Sequence, residues 1–484
     1  MSKHLIFSVF TLLALALVAA PMAQDLPYSH EEAGVTVLVP DTILFKSTVA
    51  MGKYWEPFTD VFGDGTIAII AGAFPEGKTE GYNSKVAFVA PDGTISEYWA
   101  FYADNGTPYT GGFNETRKDG NPPRIAADRR AGGVRYITGQ EATPFEYAAF
   151  RTDGRWEKDF VYVGNQVAAV QIFEKTATGP KPITKVIDPV FGSGDIEGTQ
   201  TDQMRFGGDL QFLSNGNVLV VTENRNKSNE LFTQQTVTAT IFNAETGAII
   251  KGPFNAAADG GAHSIWANVA AFDGGFAVRT EGIISIYDNA GNLKHDAIVQ
   301  NTWTTVKDTG RGDGVRIGAS MKGSTVYILG PNPDGDMALS GLNVLTGQPD
   351  KEILANEMEL WDAGTFDRGD IALDDNGNLC VAYVFKDINN MALEQIVSRI
   401  FDKDLNPLTP TFFAYTQFER PDTPNFMGIT SKEVNVSMDN NRIVIAADGQ
   451  TVDPDTSELT EPEHTFFVVL KNPKSTDVPG WELY

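Results

Sequence analysis

Short apolar runs alternate with polar, glycine-rich turns along most of the chain, and long helical periodicity is nearly absent. One pattern recurs: apolar-x-apolar, about three turn residues, then a longer run of β-branched and aromatic residues. Such runs, separated by Asn-Gly, Asp-Gly and Gly-Gly turns, predict antiparallel β-hairpins. The pattern occurs seven times, in 60–70, 124–137, 209–221, 268–279, 316–329, 370–383 and 433–447.

A second hairpin follows most copies of the first. It occurs in 85–99, 238–254, 284–298, 340–353 and 398–413. Two consecutive hairpins make four antiparallel strands, and a four-stranded unit repeated along a chain is typical of a β-propeller blade. We therefore predict an all-β fold, a single β-propeller of four-stranded antiparallel blades.

The number of blades follows from the repeat count. Seven blades are predicted, and six to eight are compatible with the pattern because 145–160 and 165–186 both qualify as the outer hairpin of the second blade. We expect the N-terminal strand 34–39 to close the ring by pairing with the last blade. The predicted propeller occupies 24–484, with blades at about 56–101, 122–190, 207–257, 266–300, 314–356, 368–415 and 432–471.

Two of these blades carry a specific repeat. The segments 371–385 and 397–413 read "IALDDNGNLCVAYVF" and "VSRIFDKDLNPLTPTFF", and 210–225 with 238–249 gives a similar pair. This chain resembles a loose class of exported bacterial β-propeller repeat proteins whose blades follow a D-x-D-G-N-F-V-V-V-W pattern. The tryptophan that often ends the second strand of that pattern is absent here, with Tyr383 and Phe385 in that region. The class is mostly of unassigned activity, so the resemblance implies architecture and export, and little chemistry.

The first 23 residues predict a secretory signal peptide. Lys3 and His4 form a basic start, 5–18 is apolar, and small residues up to Ala23 offer a cleavage site. No later stretch is long and apolar enough to predict a membrane helix. We therefore expect a secreted, periplasmic or cell-surface protein.

The net charge indicates which partners are disfavoured, and the cysteine content indicates whether disulfides stabilise the core. The net charge of −26 disfavours a nucleic-acid partner, because binding a phosphate backbone needs a basic surface. An extracellular glycan or protein is the expected partner class. Cys380 is the only cysteine, so no intramolecular disulfide is available, and its apolar strand predicts that it is buried.

The turn 374–378 resembles the beginning of a calcium-binding loop. Asp374, Asn376 and Asn378 have the i, i+2, i+4 spacing of the first ligands in such a loop. The twelfth position from Asp374 carries Phe385 instead of the bidentate glutamate. Because Gly377 also suits a hairpin corner, we favour a plain turn, no cofactor and no metal.

The repeat position that enters each inner strand is polar in blade after blade. Ligands of propellers bind where these entries converge, at the mouth of the central channel. The candidate ligand-binding residues there are Arg124, Asp209, Trp266, Asn268, Arg316, Arg368, Asp370 and Glu433. They form either a polar pocket for a glycan-like or anionic ligand, or a set of charges that pair with each other and close the channel.

No catalytic motif is present, and no catalytic residue is assigned. The preferred function is therefore that of an exported, non-catalytic binding or scaffold protein. The alternative is a carbohydrate-active enzyme, a glycoside hydrolase or lyase, with two of Asp209, Asp370 and Glu433 as paired carboxylates. An enzyme requires two carboxylates in an open, aromatic-lined funnel, whereas a scaffold has them neutralised and the channel blocked.

Overall fold

The computed structural model describes residues 36–37, 43–49, 57–73, 83–103, 106–108, 123–142, 167–187, 202–226, 235–259, 267–280, 283–299, 315–331, 337–355, 364–387, 394–415, 426–452 and 459–475. These residues form twenty-nine strands and contain no helix. The first fourteen strands are β1 (Thr36–Val37), β2 (Ile43–Val49), β3 (Phe58–Val61), β4 (Ile67–Ala73), β5 (Asn83–Val89), β6 (Ile95–Trp99), β7 (Arg124–Ala127), β8 (Arg135–Ala142), β9 (Val167–Thr176), β10 (Gly179–Pro182), β11 (Asp202–Phe212), β12 (Val218–Asn226), β13 (Gln235–Phe242) and β14 (Ile249–Asp259).

The remaining strands are β15 (Asn268–Phe272), β16 (Gly275–Thr280), β17 (Ile283–Asp288), β18 (Leu293–Val299), β19 (Arg316–Ala319), β20 (Thr325–Pro331), β21 (Met337–Asn343), β22 (Gln348–Leu354), β23 (Gly364–Leu373), β24 (Leu379–Asp387), β25 (Glu394–Phe401), β26 (Phe412–Tyr415), β27 (Phe426–Met438), β28 (Arg442–Val452) and β29 (Leu459–Lys471). They assemble into seven sheets. Blades 1 to 5 are β3–β6, β7–β10, β11–β14, β15–β18 and β19–β22; blade 6 is β23–β26 with β1, and blade 7 is β27–β29 with β2. The predicted all-β propeller with seven four-stranded antiparallel blades is confirmed.

The strand that completes blade 7 differs from the one expected. β2 pairs antiparallel with β29, with Ser47 opposite Phe467, and so joins the N-terminal region to the last blade. Of the segment 34–39, only 36–37 is described, and it pairs parallel with β26 at the outer edge of blade 6. β2 suits the closing position because its seven residues match the long outer edge of β29, whereas β1 pairs through two residues only.

Blade 2 takes its outer hairpin from the second of the two candidates. β9 and β10 lie within 165–186, and Gly179 pairs with Thr176 at the hairpin end. The other candidate, 145–160, lies outside the described residues. The two candidate hairpins therefore do not add a blade, and the propeller has seven blades.

The core is divided into apolar layers between adjacent blades. In blade 6, Leu379, Val381 and Tyr383 pack towards blade 5, whereas Cys380 and Ala382 pack towards blade 7. Each blade is thus buried on both faces, which explains why its second strands read as continuous apolar runs. In the part of the chain described above, no helix is long and apolar enough to cross a membrane.

Cys380 is predicted to be unreactive in the native protein. Its side chain is 0% exposed, and burial raises the pKa of its thiol well above the usual range. Because the thiolate is the reactive form, a thiol reagent at neutral pH should label Cys380 only after denaturation. Absorbance of released thionitrobenzoate with and without urea measures this, and rapid labelling without urea would contradict it.

Candidate functional site

The seven inner strands each contribute one residue to a ring around the central channel. Each lies four positions before the residue that opens the hairpin turn of its blade, in the same register. The ring consists of Phe58, Arg124, Asp209, Asn268, Arg316, Asp370 and Asn435, and its members line one cavity of about 80 Å³. A water molecule needs about 10–15 Å³ on this measure, so the cavity has room for a few waters.

Five of the eight predicted site residues meet in this ring: Arg124, Asp209, Asn268, Arg316 and Asp370. Blade 7 supplies Asn435 in place of the predicted Glu433, two residues earlier on β27. The register was missed because β27 is irregular between Phe426 and Val434. Trp266 and the side chains of Arg368 and Glu433 lie outside the described part of the chain.

The sequence suggested that Asp209 and Asp370 precede their inner strands, and this prediction is wrong. They lie inside β11 and β23, which begin at Asp202 and Gly364. Both strands have a register shift just before the ring position, between Arg205 and Asp209 and between Phe366 and Gly369.

The ring's acid and amide oxygens hold the next blade by its backbone. Each inner strand is a sheet edge, so its outward N–H groups need acceptors. Ring oxygens supply them from blade to blade, in the bonds Val269 N to Asp209 Oδ2 (3.0 Å), Ile317 N to Asn268 Oδ1 (2.5 Å), Val436 N to Asp370 Oδ2 (2.8 Å) and Thr59 N to Asn435 Oδ1 (2.6 Å). We call this set of bonds the clasp. The last of them links blade 7 to blade 1.

The clasp contains the same aspartate–asparagine pair twice. Asn268 Nδ2 donates to Asp209 Oδ2 at 2.8 Å, and Asn435 Nδ2 donates to Asp370 Oδ2 at 2.6 Å. One carboxylate oxygen therefore receives two N–H donors from the following blade in each case. This arrangement leaves that oxygen poorly placed to act on a ligand.

Below the ring, an ion pair between a buried aspartate and a part-buried arginine narrows the channel. Asp60 accepts the backbone N–H of Ala127 at 2.8 Å through Oδ2, and Arg129 contacts Asp60 Oδ1 at 2.6 Å. At the same level, Gln211 Oε1 accepts the N–H of Ala271 at 2.7 Å. Asp60, Arg129 and Gln211 help to line a cavity of about 20 Å³. The Asp60–Arg129 pair could not be predicted from the sequence, because the two residues belong to different blades.

Arg124 is held by contacts within the wall of the channel. Its guanidinium lies 3.6 Å from the ring centroid of Phe58, and its Nε donates to the carbonyl of Gly208 at 3.2 Å. Phe58 thus contributes an aromatic side chain to the cavity that the sequence analysis did not predict. Counting four positions back from the turn of blade 1 would have found Phe58.

The two ring carboxyls have raised pKa values. Burial raises the pKa of Asp370 to about 7, although the N–H of Val436 and the charge of Arg316 oppose this effect. Burial also raises the pKa of Asp209, against the charge of Arg124. With a pKa of about 7, the carboxyl of Asp370 is partly protonated near neutral pH.

The calcium candidate has the geometry of a turn. Asp374 Oδ1 accepts the N–H groups of Asn376 and Asn378 at 2.8 Å each, and Oδ2 accepts the side-chain amides of Asn378 and Asn472. The same aspartate-to-asparagine arrangement closes the turns 288–292 and 402–406. The oxygens of Asp374 thus face N–H donors. Among the described residues, no group of three or more His, Cys, Asp or Glu side chains converges as metal ligands would.

The chain was compared with known proteins. No family model and no curated protein matches it by sequence. Among solved structures, the Trypanosoma rangeli sialidase in complex with the inhibitor DANA is similar at 10% identity and a TM-score of 0.43, over 70% of this chain and 53% of that one. The chain thus spans about half the length of that sialidase.

Two other solved structures are covered almost completely. A protein of unknown function from Dyadobacter fermentans matches at 10% identity and a TM-score of 0.42, over 89% of this chain and 97% of that one. The β-propeller domain of the trilobed protease from Pyrococcus furiosus matches at 10% identity and a TM-score of 0.39, over 82% and 91%. Similarity at this level carries no information about activity or ligand.

Proposed function

We propose that the protein is an exported, non-catalytic β-propeller that acts as a binding or scaffold protein for an extracellular glycan or protein. One observation carries this proposal: the ring oxygens of Asp209, Asn268, Asp370 and Asn435 are committed to the clasp. A carboxylate that already accepts two N–H donors through one oxygen is poorly suited to attack or protonate a glycosidic bond. Export is supported by the signal-peptide pattern of residues 1–23.

The alternative function, a glycoside hydrolase or lyase, has one favourable observation. A carboxyl with a pKa of about 7, as for Asp370, suits a general acid. Its partner carboxylate would be Asp209, which lies in the same cavity. However, the cavity has room for waters and not for a sugar ring, and Arg129 neutralises Asp60 below it.

An activity assay separates the two functions. The mature protein is incubated with a panel of aryl glycosides and with polygalacturonate, and released phenol and unsaturated uronate are measured. The proposal expects no turnover above a heat-treated sample. Turnover that disappears in Asp370→Asn would overturn it in favour of the enzyme.

The substitution Arg316→Ala tests the structural role of the ring. Arg316 is 6% exposed, and its charge acts on both Asp209 and Asp370. Its loss leaves buried acids without that charge, so we expect stability to fall by roughly 1–3 kcal/mol. Thermal melting checks this, with sulfate, citrate and galacturonate as added anions. An unchanged melting temperature together with loss of anion binding would make the ring a ligand pocket instead.

A further inference from the structure

A second cavity, of about 460 Å³, lies between blades 5 and 6 on the face of the propeller that carries the hairpin turns. It is lined by the turn 320–324 and the outer strand β22 of blade 5, and by the turns 374–378 and 402–406 of blade 6. It shares no lining residue with the ring. We call it the blade 5–6 cavity. Its volume falls in the range of about 300–1,000 Å³ in which proteins bind small molecules.

The cavity borders a position at which blade 5 lacks a side chain that the other blades have. On the third strand of every blade, one position faces the next blade at the level of this cavity. In blade 5 it is Gly341, paired with Tyr327. In the other six blades the same position carries a large, buried apolar residue: Phe88, Ile172, Ile241, Ile286, Ile400 and Val469.

Neither backbone nor packing requires glycine at position 341. Its φ is not positive, in contrast to Gly216 at +85°. A Cβ at Gly341 would have Asp350 Cβ and Thr325 Cγ2 as its nearest neighbours, both at an ordinary 3.4 Å. Glycine weakens a strand and buries no side chain there, and at this position it leaves space beside Tyr327 at the cavity wall.

A second departure from the repeat lies in the wall of the same cavity. Turns 288–292 and 374–378 place Gly291 and Gly377 at the left-handed position, whereas turn 402–406 places Leu405 there with φ of 60°. That conformation costs a leucine roughly 1–2 kcal/mol. The strained turn directs a buried side chain, 4% exposed, to the cavity wall. Compared with the other blades, blade 5 thus lacks an apolar side chain at position 341, whereas blade 6 adds the side chain of Leu405 to the opposite wall of the cavity.

The polar lining of the cavity is electrically balanced. Three lysines, Lys322, Lys351 and Lys403, face three aspartates, Asp350, Asp375 and Asp404. Lys322 Nζ lies 2.5 Å from Asp375 Oδ2, and Lys403 Nζ lies 2.8 Å from Asp404 Oδ1. An ionic ligand would have to compete with these pairs, whereas a neutral hydroxyl can bond to their remaining donors and acceptors.

We propose that the blade 5–6 cavity binds a neutral saccharide of one or two hexose units. Its hydroxyls are recognised by the lysine and aspartate rim. Its ring occupies the space next to Gly341, where the other blades carry an apolar side chain. This site is separate from the ring, so it does not depend on whether the ring binds a ligand.

Two substitutions of one residue test the proposal. Gly341→Ile restores the residue found at this position in blades 2, 3, 4 and 6 and fills the cavity. Gly341→Ala adds one methyl group at an ordinary contact distance. Wild type and both variants are titrated with glucose, galactose, mannose, N-acetylglucosamine and their β-1,4 disaccharides, with saturation-transfer NMR and thermal shift as readouts. We expect at least one sugar to bind wild type, with Kd about twofold weaker in the alanine variant and more than tenfold weaker in the isoleucine variant.

Two further variants keep the result unambiguous. Asp350→Ala removes an exposed rim carboxylate and should weaken sugar binding several-fold even if Gly341→Ile fails to fold. Asp92→Ala, on an exposed turn of blade 1, makes the same charge change outside both cavities and should leave sugar affinity unchanged. The proposal is overturned if no sugar in the panel binds, if glutamate or phosphate binds in place of a sugar, or if Asp350→Ala and a folded Gly341→Ile bind sugar as wild type does.

Discussion

Replacing Asp60 by alanine should lower the free energy of unfolding by about 2–4 kcal/mol, because it removes the counterion of a part-buried arginine and the acceptor of a buried N–H. Asp60 is 5% exposed, and its carboxylate contacts Arg129 at 2.6 Å and the N–H of Ala127 at 2.8 Å. The substitution leaves a guanidinium that is 26% exposed without its counterion and a buried N–H without its acceptor. Both losses fall on the contact between blades 1 and 2.

Urea denaturation of three matched variants separates these contributions. Asp60→Asn keeps an oxygen for Ala127 but removes the charge, so it should cost less than Asp60→Ala. The double variant Asp60→Ala/Arg129→Ala should lose less than the sum of the single losses. Asp404→Ala removes a carboxylate of similar contact distance whose side chain is 65% exposed, and it should change stability by less than about 0.5 kcal/mol. A loss below about 1 kcal/mol in Asp60→Ala would show that the pair does not stabilise the ring.

Turn chemistry made the propeller predictable. Each inner hairpin carries a local signal, such as the Asn-Gly corner of 374–378 or the Asp-Gly corner of 60–70. These signals depend on a few adjacent residues, so they survive without any knowledge of tertiary contacts. The strand that closes the ring has no such signal, because β1 and β2 are both short apolar segments and only the free edges of blades 6 and 7 decide between them.

The candidate site was only partly predictable for a related reason. Arg124, Asp209, Asn268, Arg316 and Asp370 were found because repeat position is a local property of the sequence. Their partners were not, since the clasp joins residues that are 49 to 376 positions apart along the chain. Gly341 cannot be recognised as unusual from its neighbours in the sequence. It differs from the apolar residues of the other blades only when the third strands of the seven blades are compared in register.

Asp370 should make the protein less stable as the pH rises from 5 to 8. An unfolded aspartate titrates near 3.9, whereas the pKa of Asp370 in the folded protein is about 7. Between these values the folded state holds a proton that the unfolded chain has released, so rising pH favours unfolding. Over this pH range the loss amounts to about 3 kcal/mol at most, at 1.36 kcal/mol per pKa unit. The raised pKa of Asp209 acts in the same direction.

The substitution Asp370→Asn isolates this contribution. Asparagine keeps the shape of the protonated acid and an oxygen for the N–H of Val436, but it cannot ionise. We therefore expect the variant to match wild type at pH 5 and to exceed it in stability at pH 8. Asp404→Asn, on the exposed turn of blade 6, makes the same charge change and should keep the slope of wild type. Asp64, Asp288 and Asp402 have lowered pKa values, so the stability they contribute is lost below about pH 4, outside the tested range. Equal slopes in wild type and Asp370→Asn would show that the clasp holds Asp370 ionised throughout, with the N–H donors of Val436 and Asn435 outweighing its burial.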